Sequence, residues 1–320
     1  MFYRILIVVV AAFVVAVPAA AQNYPTRPVR FIVPFAPGGN TDVQGRLIAQ
    51  KLTEKWNQQV VVDNRAGAGG TLGVEMLAKA PADGYTIALA SFGNILVGPS
   101  LFPKLAYDPM KDLAPVVLVS QPPGLLVVNP ALPVKNVGEL IAYGKANAGK
   151  LNYGSAGNGT WNHLFAEHFK ALAGIQMTHI PYKGANPAVT DVIGGQIQLS
   201  FAPFPAALPN AKSGRLRVLA VTSAQRSPVV PEVPTVAESG LPGYSAASWF
   251  AVLAPAKTPP TVIAAINRDT NAVLAQPEVK AAFAADGTEP AGGTPEQLGV
   301  SMRAGIAQWG KLVRDLGVKL

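Results

Sequence analysis

The sequence predicts an α/β protein of two lobes, each a mostly parallel sheet flanked by helices, joined by a hinge. Three observations carry this. Short apolar, β-branched runs alternate with stretches of helical periodicity across short loops, the pattern of open, mostly parallel sheets. A strand–glycine loop–helix turn occurs twice, at Phe31–Arg46 and at Lys150–Thr160, far enough apart to place one in each lobe. Two apolar stretches, one between Leu113 and Val128 and one at Ala247–Leu253, read as an outward and a return crossing, which implies a hinge. The expected division is a signal peptide over 1–21, a first lobe of 22–121 with 247–320, and a second lobe of 122–246.

The elements follow in order. Val29–Val33 is apolar enough for a buried strand, Pro37-Gly38-Gly39 breaks it, and Asn40 or Thr41 can cap a helix that starts near Thr41. In that helix Val43, Leu47, Ile48, Leu52 and Trp56 form the apolar face, and Asp42 stands four residues before Arg46, within ion-pair reach. The first amides of such a helix have no intrahelical partner and lie at the positive end of its dipole, so the turn suits a carboxylate or phosphate. Gln59–Val62 is a second strand, Asn64–Thr71 a third glycine loop, and Leu72–Ala80 a helix. A dinucleotide fingerprint starting at Gly67 would need its third glycine at Leu72, and no Gly-Lys-Ser/Thr is present, so these glycines are read as packing residues and no cofactor is expected. Tyr85–Ala90 is a third strand whose exit, Ser91-Phe92-Gly93-Asn94, occupies the place of a crevice loop.

Val137–Asn147 reads as a helix, and after the second cradle Trp161, Leu164, Phe165, His168 and Leu172 recur at helical spacing. Met177–Gly184 is a strand closing on a turn, Ala188–Gly194 a short helix, Gln196–Phe201 an alternating half-buried strand, and Leu216–Thr222 another strand. Helices are expected over Pro260–Leu274, Pro277–Ala285 and Pro295–Leu316.

Met1–Ala21 has Arg4 in a short leading region, an apolar run from Ile5 to Val17 and Ala19-Ala20-Ala21 as a cleavage site. Without cysteine there is neither a disulfide nor an N-terminal lipid attachment through Cys, so release into a bacterial periplasm is expected. Removing the leader and Arg4 leaves 25 − 18 = +7 from the 26 basic and 18 acidic residues, a field that attracts acidic ligands. The basic residues are scattered and not interleaved with aromatics, which argues against nucleic acid.

A secreted serine hydrolase is the alternative from another class, since Tyr153-Gly-Ser-Ala-Gly157 approaches a nucleophile elbow around Ser155. The first glycine is absent, and His163, His168 and His179 follow too closely for the usual order of partners, so no catalytic residue is assigned. His163 and His168, five apart, point about 140° from each other around a helix, and no metal site is expected. His163 reads as a hydrogen-bonding residue beside the cradle and His168 as a packed one.

Specific motifs then come together: Tyr24–Phe35 with Gly38-Gly39-x-x-Asp42, Asn64-Arg-x-Gly-Ala-Gly-Gly70, Pro81-x-Asp-Gly-Tyr-Thr86, the Tyr153–Thr160 loop, Pro181-Tyr-Lys-Gly184, and Val233–Gly243. Over nearly the whole mature chain these resemble the Bug family, the substrate-binding proteins of tripartite tricarboxylate transporters. The resemblance implies a periplasmic-binding-protein clamshell that grips a small organic carboxylate between the loops matching Phe35–Asp42 and Ser155–Thr160, mostly through backbone amides and bridging water. On it Phe35, Gly39, Asn40, Thr41, Asp42, Ser155, Asn158, Gly159, Thr160 and Tyr182 become candidate ligand residues, with Ser91 from the third strand's exit. Asp42 is weighed more heavily as a cap and partner of Arg46 than as an anion contact. Three departures bear on specificity: Ala202 and Pro203 stand where amino-acid binders of the family carry an Asp, and Trp161 and Phe92 add aromatics near the inferred mouth. They point away from amino acids and toward di- or tricarboxylates or an aromatic acid. A monomer is expected, partnered by a membrane transport complex or a sensor.

Overall fold

The computed structural model describes residues 24–285, 287–315 and 317–318. The leader read at 1–21 lies outside the described residues. Two mixed sheets organise the chain. The first has the order β11-β4-β10-β3-β1-β2, from β1 (Val29–Val33), β2 (Val60–Asn64), β3 (Thr86–Ser91), β4 (Leu113–Ser120), β10 (Phe250–Pro255) and β11 (Pro290–Gly292). The second has the order β7-β6-β8-β5-β9, from β5 (Leu125–Val128), β6 (Leu151–Ser155), β7 (Met177–Pro181), β8 (Leu199–Ala202) and β9 (Arg217–Val221).

Parallel pairing occurs where strand–helix–strand units supply the neighbours, β1 with β2 and β3, and β6 with β7 and β8. The strands adjoining the crossings run the other way: β10 is antiparallel to β3 and β4, and β5 to β8 and β9. The sheets are therefore more mixed than expected, because a chain that enters a sheet from its neighbour arrives without a crossover helix to set it parallel.

Helices cover both faces, and the two-residue repeat of the strands decides which side chain meets which helix. In the first sheet Phe31, Ile87, Leu89 and Val252 face Ile48 and Leu52 of α1 (Asn40–Trp56) and Ile266 and Val273 of α8 (Pro260–Leu274). The alternate residues Ile32, Ala88, Ala90 and Leu253 face Val74 and Leu77 of α2 (Thr71–Ala78) and Leu298 and Met302 of α10 (Pro295–Asp315). The second sheet divides likewise. Leu126 and Phe201 meet Phe165 and Phe169 of α5 (Trp161–Ala173), whereas Leu125, Val127 and Ala202 meet Val189 and Val192 of α6 (Ala185–Ile193) and Phe204 of α7 (Phe204–Lys212). The cluster on the α2, α5 and α10 side is continuous from one sheet to the other.

The two crossings run side by side. Ser248 donates its amide to the Pro122 carbonyl at 2.8 Å, Pro123 bridges Ala247, and the Gly124 amide donates to the Thr222 hydroxyl at 2.7 Å.

Several expectations are refined. Val43 is 55% exposed and does not belong to the buried face of α1. The stretch Ala247–Leu253, read as the return crossing, passes into strand β10 at Phe250. Helix α7 lies in a stretch for which no element was expected and contains Pro205 and Pro209. Pro205 falls in the first turn, where its missing N–H costs nothing, and only Pro209 is interior. The exit of β3 is a buried π-helical turn, Gly93–Val97, running into α3 (Gly98–Leu101).

Candidate functional site

A cavity of about 670 Å³ lies where the loops of the two sheets face each other. Phe35 and Ala36 after β1, Ala66–Gly70 after β2, and Phe102 after α3 form the wall belonging to the first sheet. Ala156, Gly157, Asn158 and Thr160 after β6, with Tyr182 and Lys183 after β7, form the opposite wall. Every one of these loops leaves the carboxyl end of its strand except the Phe102 turn, the position at which open α/β sheets bind ligands.

The β1–α1 loop is held from behind by Asp42. Its carboxylate accepts the Gly38 amide at 2.9 Å, Arg46 Nε at 2.9 Å and Asn64 Nδ2 at 2.8 Å, while Asn64 Nδ2 also donates to the Phe35 carbonyl at 2.9 Å. Burial opposes ionisation of Asp42, but the hydrogen bonds from Arg46, Gly38 and Asn64 outweigh it and hold the carboxyl below its ordinary range. The ion pair with Arg46 is as expected, whereas the N-cap is Gly39, with no side-chain cap. Gly39, Asn40, Thr41 and Asp42 are not among the residues that line the cavity.

The β6–α5 loop is likewise fastened from behind. The Ser155 hydroxyl accepts the Gly157 amide at 3.1 Å and lies 2.6 Å from His179 Nε2, Asn162 Oδ1 accepts the Ala156 amide at 3.3 Å, and His163 Nδ1 accepts the Gly159 amide at 3.1 Å. Thr160 hydrogen-bonds the Gly157 carbonyl at 2.6 Å and serves as N-cap of α5. The rings of His163 and His179 stack with centroids 4.0 Å apart, and Tyr153 stacks on His179 at 4.9 Å. Desolvation lowers both imidazoles to a pKa of about 4, with the nearby Lys170 acting in the same direction, so both are neutral at pH 7. This contact gives Ser155 the imidazole neighbour that the spacing of the histidines argued against. The serine is nevertheless fully buried, and its oxygen is engaged by the loop it braces. His168 is packed, its ring stacked on Tyr244 at 5.0 Å.

The cavity is lined mainly by apolar groups. Tyr182 presents its ring, because its hydroxyl is committed to Asp191 at 2.6 Å. Burial, then that hydrogen bond, push its pKa up to about 12. Of the expected residues, Phe35, Asn158, Thr160 and Tyr182 line the cavity. Ser155 and Gly159 support it, and Ser91 is buried with its amide and hydroxyl bonded to Asn94.

Four expectations about specificity are corrected. Phe92 is core, in edge contact with Phe165 at 5.7 Å and Trp309 at 4.6 Å, because the π-helical turn swings it inward. Trp161 packs on Phe165 at 5.1 Å and under Gly124 at the crossing. Ala202, the last residue of β8, is fully buried in the cluster that holds Val127 and Phe204 and does not line the cavity, and Pro203 is the N-cap of α7.

Three parts of the wall were not read from the sequence, Lys183 after β7 among them. The third glycine loop is a wall as well as a packing element: Gly67, Ala68, Gly69 and Gly70 all have positive φ, and Ala68 at +46° holds a conformation that alanine rarely adopts. A Cβ on Gly70 would come within 3.0 Å of the Phe35 ring, so the glycine lets the two loops meet. Phe102 sits in a short turn with no periodicity to mark it.

Residues 45–318 match the family described as tripartite tricarboxylate transporter family receptor. The chain is 43% identical to protein BugT of Bordetella pertussis over 307 residues, covering 96% of this chain and 94% of that one. Among solved structures it is similar to R. palustris Rpa4515 with adipate, with a TM-score of 0.88, 38% identity, and coverage of 92% of this chain and 99% of that chain. It is also similar to MatC from Rhodopseudomonas palustris with bound malate, with a TM-score of 0.83, 32% identity, and coverage of 91% and 99%.

Proposed function

The chain belongs to the tripartite tricarboxylate transporter receptor family, and we propose from this that it is a periplasmic receptor, not an enzyme, that encloses one small organic carboxylate in the cavity between its two sheets. The lobes in this reading are 22–121 with 247–320, and 122–246. One observation carries it: the cavity is walled by loops of both sheets, and no acidic residue lines it. A carboxylate there lies near the amino ends of α5 and α2, where the helix dipoles are positive. Charge-assisted hydrogen bonds are worth roughly 1.5–3 kcal/mol each, so a few of them suffice for micromolar affinity.

The absence of an acidic wall also disfavours amino acids, whose ammonium would have no counter-charge. Neighbours of similar fold hold adipate and malate, which agrees with this ligand class. The receptor acts as a monomer and delivers its ligand to a membrane transport complex or a sensor. No helix among the described residues is long and apolar enough to cross a membrane.

A thermal-shift and calorimetric screen of adipate, malate, citrate, benzoate, terephthalate, glutamate and neutral sugars tests this. Stabilisation by one or more of the carboxylates is expected. Stabilisation by sugars alone would overturn the reading.

A further inference from the structure

We infer that Lys183 is a specificity-determining residue that selects a dianion by binding the second carboxylate of a ligand whose first carboxylate sits among the loop amides. This deepens the carboxylate-receptor reading and rests on it. Lys183 is the one charged residue that lines the cavity, and it is exposed, with no carboxylate partner among the described residues. Elsewhere near the cavity the cations are spent: Arg46 is paired with Asp42 and Arg65 with Asp63. An exposed cation at the edge of a chamber with no acidic lining is available to a second anionic group of a bound ligand.

The position of Lys183 is fixed by its neighbour. The Tyr182 amide donates to the Ser155 carbonyl at 3.0 Å and the Tyr182 hydroxyl to Asp191 at 2.6 Å, tying the β7–α6 turn to the β6–α5 loop. Lys183 therefore leaves the same wall as the β6–α5 loop, next to Tyr182. Between the two anionic ends the ligand meets the rings of Phe35, Phe102 and Tyr182, which suit a methylene chain or an aromatic ring rather than a hydroxyl-rich one. The class selected is an α,ω-dicarboxylate with an apolar middle.

The test is calorimetry at constant ionic strength with succinate, adipate and terephthalate, each against a monoacid of matching carbon frame: butyrate, hexanoate and p-toluate. The wild type and Lys183→Met are compared, and circular dichroism checks that the variant is folded. We expect the wild type to prefer at least one diacid over its monoacid by about 10–100-fold, the worth of one charged hydrogen bond. Lys183→Met should lose that preference by weakening the diacid alone. A variant that keeps the preference, or that weakens diacid and monoacid equally, overturns the assignment. So does a wild type that binds both alike, which leaves the carboxylate-receptor reading intact. A wild type that binds none of the six overturns the assignment, and the broader screen then decides the receptor reading separately. In a second variant, Lys183→Glu, 6-aminohexanoate should gain on adipate; an unchanged ratio counts against the assignment.

Discussion

A Cβ placed on Gly93 would come within 2.7 Å of the carbonyl oxygen of Gly159, although the two residues belong to loops of different sheets. The approach is backbone to backbone, so no side-chain rotation can relieve an added methyl group. Gly93→Ala should therefore hold the two sets of loops apart. We expect ligand affinity to fall about tenfold and stability by about 1–3 kcal/mol, the usual range for overpacking. Small-angle scattering of the liganded variant against the liganded wild type would reveal the wider spacing, and unchanged affinity and radius would contradict it.

The stacked imidazoles make stability depend on pH in a defined window. In the unfolded chain a histidine titrates near 6.5, whereas His163 and His179 titrate near 4 in the folded protein. The unfolded state therefore binds more protons between these values, and stability, constant above 6.5, falls as pH drops toward 4. Buried His163 should account for about 3 kcal/mol of the loss and the more open His179 for less. The groups facing the pair are Tyr153, Glu167 and Lys170. Urea midpoints at pH 7 and pH 4.5 should differ strongly in the wild type and much less in His163→Asn.

Ala202→Asp should not confer amino-acid binding. Ala202 is fully buried in the core with Val127 and Phe204 and does not line the cavity, so the new carboxylate would enter that core. A destabilisation of about 3–5 kcal/mol is expected, or a carboxyl that stays protonated at neutral pH. Thermal melts from pH 5 to 8 will report either, and glutamate titration should show no gain.

Phe92→Ala should lower stability by about 3–5 kcal/mol while leaving the ranking of bound acids as in the wild type, because the ring fills core between Phe165 and Trp309. A changed ranking would return Phe92 to the ligand wall.

Asp42→Asn keeps the shape of the side chain but loses the charge that gathers the Gly38 amide and Arg46. We expect a loss of about 1–3 kcal/mol of stability and weaker binding, through the loop rather than through direct contact. Since the Asp42 carboxyl is depressed in the folded state, the stability it contributes is present above its unfolded value near 3.8 and disappears as pH falls through the lower folded value. Melting curves of both proteins at pH 7 and pH 3 should converge at the lower pH.

The alternation of strands and helices was legible because the central strands β1, β3, β5 and β10 are apolar on both faces and the long helices carry a stripe at the expected spacing. The loops that bear the cavity were legible as glycine turns for the same local reason. Facing direction was not. Whether Phe92 turns toward ligand or core depends on the single π-helical turn after β3, and that Ala202 ends β8 inside the core follows from its pairing with Leu125 of β5. The hydrogen bond between Ser155 and His179 arises from a parallel register that sets Tyr153 beside His179, a relationship between separate strands that spacing along the chain does not encode.

The apolar cluster that runs unbroken from the first sheet to the second contains Phe92 and Trp309 on one side and Phe165 and Tyr244 on the other. Such an arrangement denies either half an existence of its own. If the chain were cut at the paired crossings, each fragment would expose half of that cluster to water, and the hydrophobic driving force for either would be correspondingly reduced. The molecule should accordingly melt in one cooperative transition despite its two sheets, and any opening that admits a ligand must rearrange the loops around the shared core without splitting it.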